Sequence, residues 1–376
     1  MNLMRKLIWV DCPKKLAETV DLARGCDSVA LDAEMDSYFS YRTKLCLVQM
    51  SAGGWDALID PLAIEDLSAL NEVTEDPAIR KVFHAGENDV PYFRTQGVRF
   101  KNIFDTHIAA KILELPTKSL GGLVERYFDV VLPKDQSRAD WRIRPLPEEQ
   151  VEYARQDTLH LCELAELLAE ELEEADAREE AEQHFRAIEP RELREKTFDP
   201  DGWAKIKGAR DLSPEQRSVM AELYRWREGK AEEADLAVFR IVHNGALLSL
   251  SRKRFSRPEQ LRGWAKSQTL KEHAEELVEL LQKGRDRGAI PFPDLRKKNK
   301  VDWSAEDEKL FQKLRQWRNE ESQRRGVDPS RVVSNRQLKK LARQKPANRT
   351  ELSKLDGVEP WVVENYADDL LELLGS

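Results

Sequence analysis

The sequence predicts an α/β domain followed by two small all-α domains, and three observations lead there. Residues 1–170 alternate short apolar runs with helical periods. Everything after Ser213 reads as helix and turn, and that rear part matches itself when shifted by 91 residues. The composition agrees: of 376 residues 40% are hydrophobic, enough to fill cores, while 61 basic and 69 acidic residues give a net charge of −8. Such a chain is too polar for a membrane protein and too apolar for wholesale disorder.

In the front part, Ser28–Asp32, Lys44–Met50, Ala57–Asp60 and Lys81–Phe83 read as strands. Thr158 to Arg186 is helical and very acidic, and Pro190 through Gly208 reads as a connector. The repeat pairs Ser213 with Ser304, Trp226-Arg227 with Trp317-Arg318, Asn244 with Asn335, Leu247 with Leu338 and Leu261 with Leu352, without a gap. Its shared Trp and Leu positions fit core residues at helical spacing. The expected division is 1–190, a connector at 191–212, a helical domain at 213–288, a basic linker at 289–302 and a second helical domain at 303–376.

Leu7 to Val10 is an apolar run far short of a secretory segment or of the ~20 residues that span a bilayer, so a cytoplasmic chain without membrane contact is expected. Cys12, Cys26, Cys46 and Cys162 form no CxxC pair, which supports neither a disulfide framework nor a cysteine zinc site.

Charge is divided unevenly. Residues 1–210 hold 28 basic and 41 acidic side chains (−13), whereas 211–376 hold 33 and 28 (+5). Arg331, Arg336, Lys339, Lys340, Arg343, Lys345 and Arg349 lie in a stretch without acid, and Lys283, Arg285, Arg287, Arg296, Lys297, Lys298 and Lys300 form a second cluster. Such patches attract phosphate backbones through counterion release, although a solvated helix face reads the same way.

Asp32 and Glu34 stand two apart at the end of a strand, so their carboxylates share a face. Asp89 follows the short strand Val82-Phe83-His84, at the start of a helical segment. Tyr153 and Asp157 are one helical turn apart. Each signal alone has an ordinary reading: Asp89 as an acid favoured by a helix N-terminus, Tyr153 as core, Asp157 as a solvated acid. Together, in this order and on these elements, they form an oxygen-ligand set suited to Mg²⁺ or Mn²⁺. His84 is expected to be structural, and His107 and His160 have no partner at metal-ligand spacing.

Leu31-Asp32-Ala33-Glu34, His84 through Asp89, and Tyr153-Ala154-Arg155-Gln156-Asp157 resemble the three motifs of the DEDD superfamily of 3′→5′ exonucleases, in its tyrosine branch. The stretch from Lys134 through Trp141, Arg144-Pro145-Leu146 and Gln150 is similar to the ribonuclease D family, and the repeats resemble HRDC domains. The resemblance implies a ribonuclease H-like mixed sheet flanked by helices, then two helical bundles. Ala33 stands where the family usually has Thr, and Ala139 where a Ser commonly precedes Asp-Trp. Neither change removes a ligand.

What the resemblance further implies is a pair of divalent cations, Mg²⁺ or Mn²⁺. Asp32 would bridge them, Glu34 and Asp157 would complete the site that activates water, and Asp89 would hold the second ion. Tyr153, whose type ordinarily titrates near ~10, would orient the water rather than act as a base. Lys134, Arg138, Trp141 and Arg144 are expected to meet phosphates and a terminal base by charge and stacking, with a partly buried Trp141 the equal alternative. The function expected is that of a monomeric 3′→5′ exoribonuclease trimming tRNA precursors and other small structured RNAs to nucleoside 5′-monophosphates. The rival readings are a repair-type 3′→5′ DNA exonuclease and a nucleic-acid-binding module on an inactive exonuclease scaffold.

Overall fold

A computed structural model describes residues 5–133, 136, 138–193, 197–294, 303–355 and 357–375. Strands β1 (Lys6–Val10), β2 (Ser28–Met35), β3 (Leu45–Ala52), β4 (Trp55–Ile59), β5 (Arg80–Phe83) and β6 (Ile103–Asp105) form one mixed sheet, ordered β1-β4-β3-β2-β5-β6. β3 runs antiparallel to both β2 and β4, whereas β1–β4, β2–β5 and β5–β6 are parallel pairs. β2 is central, and its alternation decides the layers. Val29, Leu31 and Ala33 join the core under the first helix with Leu16, Val20 and Phe83, while Ala30 faces the opposite core with Val82, Leu164 and Leu168. Asp32 and Glu34 share the face of Ala30 by the same period of two.

The helices of this domain are α1 (Pro13–Ala23), α2 (Asn71–Thr74), α3 (Val90–Thr95), α4 (Thr106–Ile112), α5 (Leu120–Phe128), α6 (Glu148–Leu159), α7 (Leu161–Glu174) and α8 (Arg178–Arg186). Two strands exceed the sequence reading: β1 and β6 are short edge strands, five and three residues long, too brief for a period to register. Asp60 falls one residue beyond β4 rather than inside it. The acidic stretch from Thr158 is broken into α7 and α8, and in the expected connector Trp203 is fully buried against the first helical domain.

The first helical domain contains α9 (Pro214–Glu233), α10 (Val238–Ile241), α11 (Asn244–Arg252), α12 (Pro258–Trp264), α13 (Gln268–Glu272) and α14 (Ala274–Asp286). The second contains α15 (Ala305–Arg325), α16 (Pro329–Val332), α17 (Asn335–Gln344), α18 (Arg349–Ser353) and α19 (Pro360–Gly375). The repeat has a physical cause. Arg227 donates to Val242 O (3.1 Å) and Asn244 Oδ1 (2.7 Å), and Arg318 repeats this on Val333 O (3.4 Å) and Asn335 Oδ1 (2.8 Å). Ser213 and Ser304 each open their long helix with a capping box.

Both helical domains dock on the α/β domain. The first meets the loop after β2: Ala237 N donates to Phe39 O (2.9 Å), Tyr41 Oη to Glu228 (3.1 Å), Lys44 Nζ to Asp235 (2.7 Å), and Arg240 Nε to Tyr38 O (2.8 Å). The second meets α8, where buried Glu180 accepts from Arg325 (3.2 Å) and Arg331 (2.8 Å). The acid-free stretch is therefore not a uniform solvated face: Arg331 turns inward onto Glu180 and Lys345 pairs with Glu306 (3.2 Å), while Arg336, Lys339 and Arg343 are exposed. In the other basic cluster Lys283 and Arg287 converge on Glu222, and Arg296, Lys297, Lys298 and Lys300 lie outside the described residues.

Candidate active site

Asp32 and Glu34 project from the central strand, and α6 crosses above them. Their cross-strand neighbours on β3 are Gln49 and Leu47 respectively. Two contacts clamp α6 on this face. Ser51 Oγ and Thr158 Oγ1 are 2.6 Å apart, and Arg155 reaches buried Asp56 at 3.0 Å, with Arg5 (2.9 Å) and Ser51 (2.9 Å) on the other carboxylate oxygen. So fixed, α6 brings Asp157 down to the strand. One carboxylate oxygen each from Asp32, Glu34 and Asp157 lies within 4.8 Å of the others.

Asp89 arrives from the opposite side, at the N-cap of α3. Its loop is held by Asp105, whose carboxylate accepts from Ala85 N (3.2 Å), Gly86 N (2.7 Å) and Ile108 N (3.0 Å). Ala85 adopts φ 60°, and a Cβ on Gly86 would fall 2.7 Å from the Phe83 side chain, so only glycine fits there. His84 Nδ1 lies 2.9 Å from Thr106 Oγ1, its ring 5.4 Å from that of His107. Burial, then the nearby His107, lowers its pKa to about 4, which keeps it neutral and structural. His160 stacks on Phe128.

The electrostatics of the cleft are those of crowded acids. Burial pushes the Asp32 carboxyl up to about 7. Burial, then the charges of Asp32, Asp105 and Asp157, raises Asp89 well above the usual carboxylate range. A cluster of acids with raised proton affinity can hold either protons or a multivalent cation.

Tyr153 sits one turn before Asp157 on α6, its ring 6.1 Å from Trp141. The four residues expected to meet substrate part company here. Trp141 is wholly buried with Cys46, Leu47, Leu58 and Leu146, so it cannot stack on a base; it supports Tyr153 instead. Arg144 is committed inward, bidentate to Asp60 (2.7 and 2.8 Å) and bonded to Cys46 O (2.7 Å). Arg138 is exposed, over the Tyr38 ring at 5.5 Å, and Lys134 lies outside the described residues. Ala33 packs in the core away from the carboxylates, and Ala139 against the Trp141 cluster.

Sequence reasoning missed the positioning residues Asp56, Arg155, Ser51, Thr158 and Asp105. Only Asp105 carried a local signal, as an Asp directly preceding a helical run.

Residues 7–173 match the 3′-5′ exonuclease family, and residues 216–281 and 307–374 match the HRDC domain family. Ribonuclease D of Escherichia coli (strain K12) is 31% identical over 369 residues, covering 96% of both chains. The exosome complex component 10 homolog of Caenorhabditis elegans is 34% identical over 250 residues, which is 65% of this chain; the chain spans only 28% of that relative's length. The crystal structure of Escherichia coli RNase D, described as "an exoribonuclease involved in structured RNA processing", has a TM-score of 0.64 at 28% identity, covering 98% of this chain and 99% of that one.

Proposed function

The chain belongs to the ribonuclease D family of 3′→5′ exoribonucleases, and from that premise we propose that it trims tRNA precursors and other small structured RNAs from their 3′ ends. The products are nucleoside 5′-monophosphates, and the reaction uses two divalent cations, Mg²⁺ or Mn²⁺. One observation carries the reading: the convergence of Asp32, Glu34 and Asp157 oxygens within 4.8 Å, beneath the helix that bears Tyr153.

The residues fit such cations. Three hard carboxylate ligands crowd one site, with Asp89 close enough to feel their charge; burial raises the proton affinity of Asp32, and burial with neighbouring acids raises that of Asp89, so a divalent ion would favour the ionised form of both. Bound there, the ions supply Lewis acidity, lowering the pKa of water and stabilising charge on the phosphate and the leaving 3′-oxygen. Asp32, on the central strand, with Glu34, Asp89 and Asp157 would hold them. Tyr153 orients the attacking water through its hydroxyl, and Trp141 fixes its ring.

The helical domains hold the folded body of the RNA through exposed Arg336, Lys339 and Arg343 while its 3′ end enters the cleft. No helix among the described residues is long and apolar enough to cross a membrane. We place the RNA substrates in the cytoplasm.

The test is digestion of a 5′-labelled, 3′-extended tRNA transcript beside a DNA strand of matching sequence, with Mg²⁺ or Mn²⁺ and with EDTA. The expected outcome is an RNA ladder shrinking from the 3′ end only with cation. Asp32→Ala and Asp157→Ala should lose roughly 10³-fold or more, and Tyr153→Phe about 10²-fold. Near-normal turnover in either Asp variant, or preferential shortening of DNA, would overturn the reading.

A further inference from the structure

The loop that follows Glu34 carries a feature the catalytic cluster does not use. Asp36, buried, accepts from Lys44 N (2.7 Å) and from the Ser40 hydroxyl, and so folds residues 36–44 into a tight turn. This turn presents Tyr38, 40% exposed, to solvent. Across the joint with the first helical domain the Tyr38 ring meets Phe239 (centroids 5.8 Å), and Phe239 stacks on exposed His243 (6.2 Å, 25°). Two domains thus contribute to one cluster of three rings, with Tyr38 edge-on to Phe239 (68°).

The rings are flanked by cations. Arg138 lies over Tyr38 (5.5 Å), and Arg142 (4.7 Å) and Arg240 (4.0 Å) lie over neighbouring Phe39; all three arginines are exposed. The acids nearby are engaged: Asp140 pairs with Arg142 (2.8 Å), and Glu228, Glu232 and Asp235 on the helical side bind Tyr41, Arg42 and Lys44. Aromatic rings partly open to solvent, beside the guanidinium groups of Arg138 and Arg240, suit a chain of π-faced groups joined by phosphates.

The lip is also tethered near the cleft through two chain segments. Tyr38 is four residues past Glu34, hence within about 14 Å along the chain. Arg138 is three residues before Trp141, on which the Tyr153 ring packs. We propose that Tyr38, Phe239 and His243 form a stacking lip that binds the single-stranded RNA segment upstream of the terminal dinucleotide, with Arg138 and Arg240 on its phosphates. This inference rests on the exoribonuclease reading above and adds a subsite to it. It also gives the docking of the first helical domain a function, since the lip exists only when that domain is seated.

The test compares wild type, the double variant Tyr38→Ala/Phe239→Ala and Tyr38→Phe. The substrates are an unstructured oligoribonucleotide of about twelve nucleotides and a dinucleotide too short to reach the lip. For the double variant KM on the longer substrate should rise about tenfold with kcat within about twofold, the dinucleotide kinetics should not change, and Tyr38→Phe should behave as wild type. Fluorescence anisotropy of the longer RNA in EDTA should show the same loss of affinity without any cleavage. Equal KM and affinity in wild type and the double variant would overturn the lip, as would an equal loss on the dinucleotide, which would mark general damage to the cleft. Failure of wild type to cleave either RNA would instead strike the exoribonuclease reading, and the anisotropy arm would still decide the lip.

Discussion

Asp32 in the cleft and Asp56 near the other end of the same sheet face are both acids withdrawn from water, yet they are surrounded in opposite ways. Asp56 is enclosed by Arg5, Arg155 and the Ser51 hydroxyl. Glu180, at the seam with the second helical domain, is likewise gripped by Arg325 and Arg331. Burial raises Asp32, and burial with neighbouring acids raises Asp89; among the described residues no arginine or lysine offsets either. Charge neutralised by arginine holds elements together, whereas charge left to other acids is held ready for a ligand. The same residue type, partly buried at Asp32 and wholly buried at Asp56, is chemistry in one region and architecture in the other.

The sharpest way to break this comparison is to remove an architectural acid. Asp56→Ala strands Arg5 and Arg155, whose side chains are about a quarter exposed, and leaves Ser51 without its acceptor. The expected loss is about 3 kcal/mol, toward the low end for a broken buried pair because the arginines retain some water. Since Arg155 is one of the two clamps on α6, activity should fall with stability. Urea unfolding of the variant should show the loss; an unchanged midpoint would mean that Asp56 is not a clamp.

Glu180→Ala should follow at about 2 kcal/mol, felt mainly at the seam, because Arg325 and Arg331 would face each other and Glu114 without their buried partner. Limited proteolysis should then release the segment from Ala305 onward faster than in wild type. An unaltered cleavage rate would show that the contact between Gln183 and Glu364 suffices.

How far each part was legible in the sequence follows from chain distance. Asp32 with Glu34, and Tyr153 with Asp157, are fixed by periods of two and four, and the structure brings the two pairs together. The repeat was legible because its Arg–Asn and capping contacts are internal to each helical domain. Arg155 and Asp56 are 99 residues apart, and Glu180 and Arg331 are 151 apart, beyond any local pattern. Trp141 shows the limit: a Trp among arginines reads equally as a base-stacking platform or as partly buried, and Cys46, Leu47 and Leu58, from strands far back in the chain, decide for burial. Arg144 was misread for the same reason, since Asp60 captures it.

A smaller effect sharpens the other side of the comparison. The cleft acids titrate higher in the folded protein than in the unfolded chain, Asp32 moving from 3.8 to about 7. Between those values the folded, cation-free protein binds more protons than the unfolded one, so its stability falls as pH rises through the window and the loss is complete above it. In EDTA, wild type should therefore melt several degrees lower at pH 8 than at pH 5.5. Asp32→Asn should flatten this dependence and melt higher than wild type at pH 8, while Mg²⁺ should restore wild type alone. Parallel pH profiles for the two proteins would show that burial does not raise the proton affinity of Asp32.

The smallest effect is expected where an acid is paired but exposed. Asp235 meets Lys44 at 2.7 Å and Arg42 N at 3.3 Å, with side chains 45% and 57% open to water for the Asp235–Lys44 pair. Solvent screening and the entropy of holding a lysine leave such a pair about 0.5 kcal/mol at most. Asp235→Ala should shift the melting temperature by about one degree or less, and by less still in high salt. The joint itself should survive, because Ala237 N still donates to Phe39 O and Tyr41 to Glu228. Hydrogen exchange at Ala237 is the readout: protection equal to wild type is expected. A collapse of protection would mean that this exposed carboxylate, like buried Glu180, is a true fastening, and that exposure is not what separates the two classes.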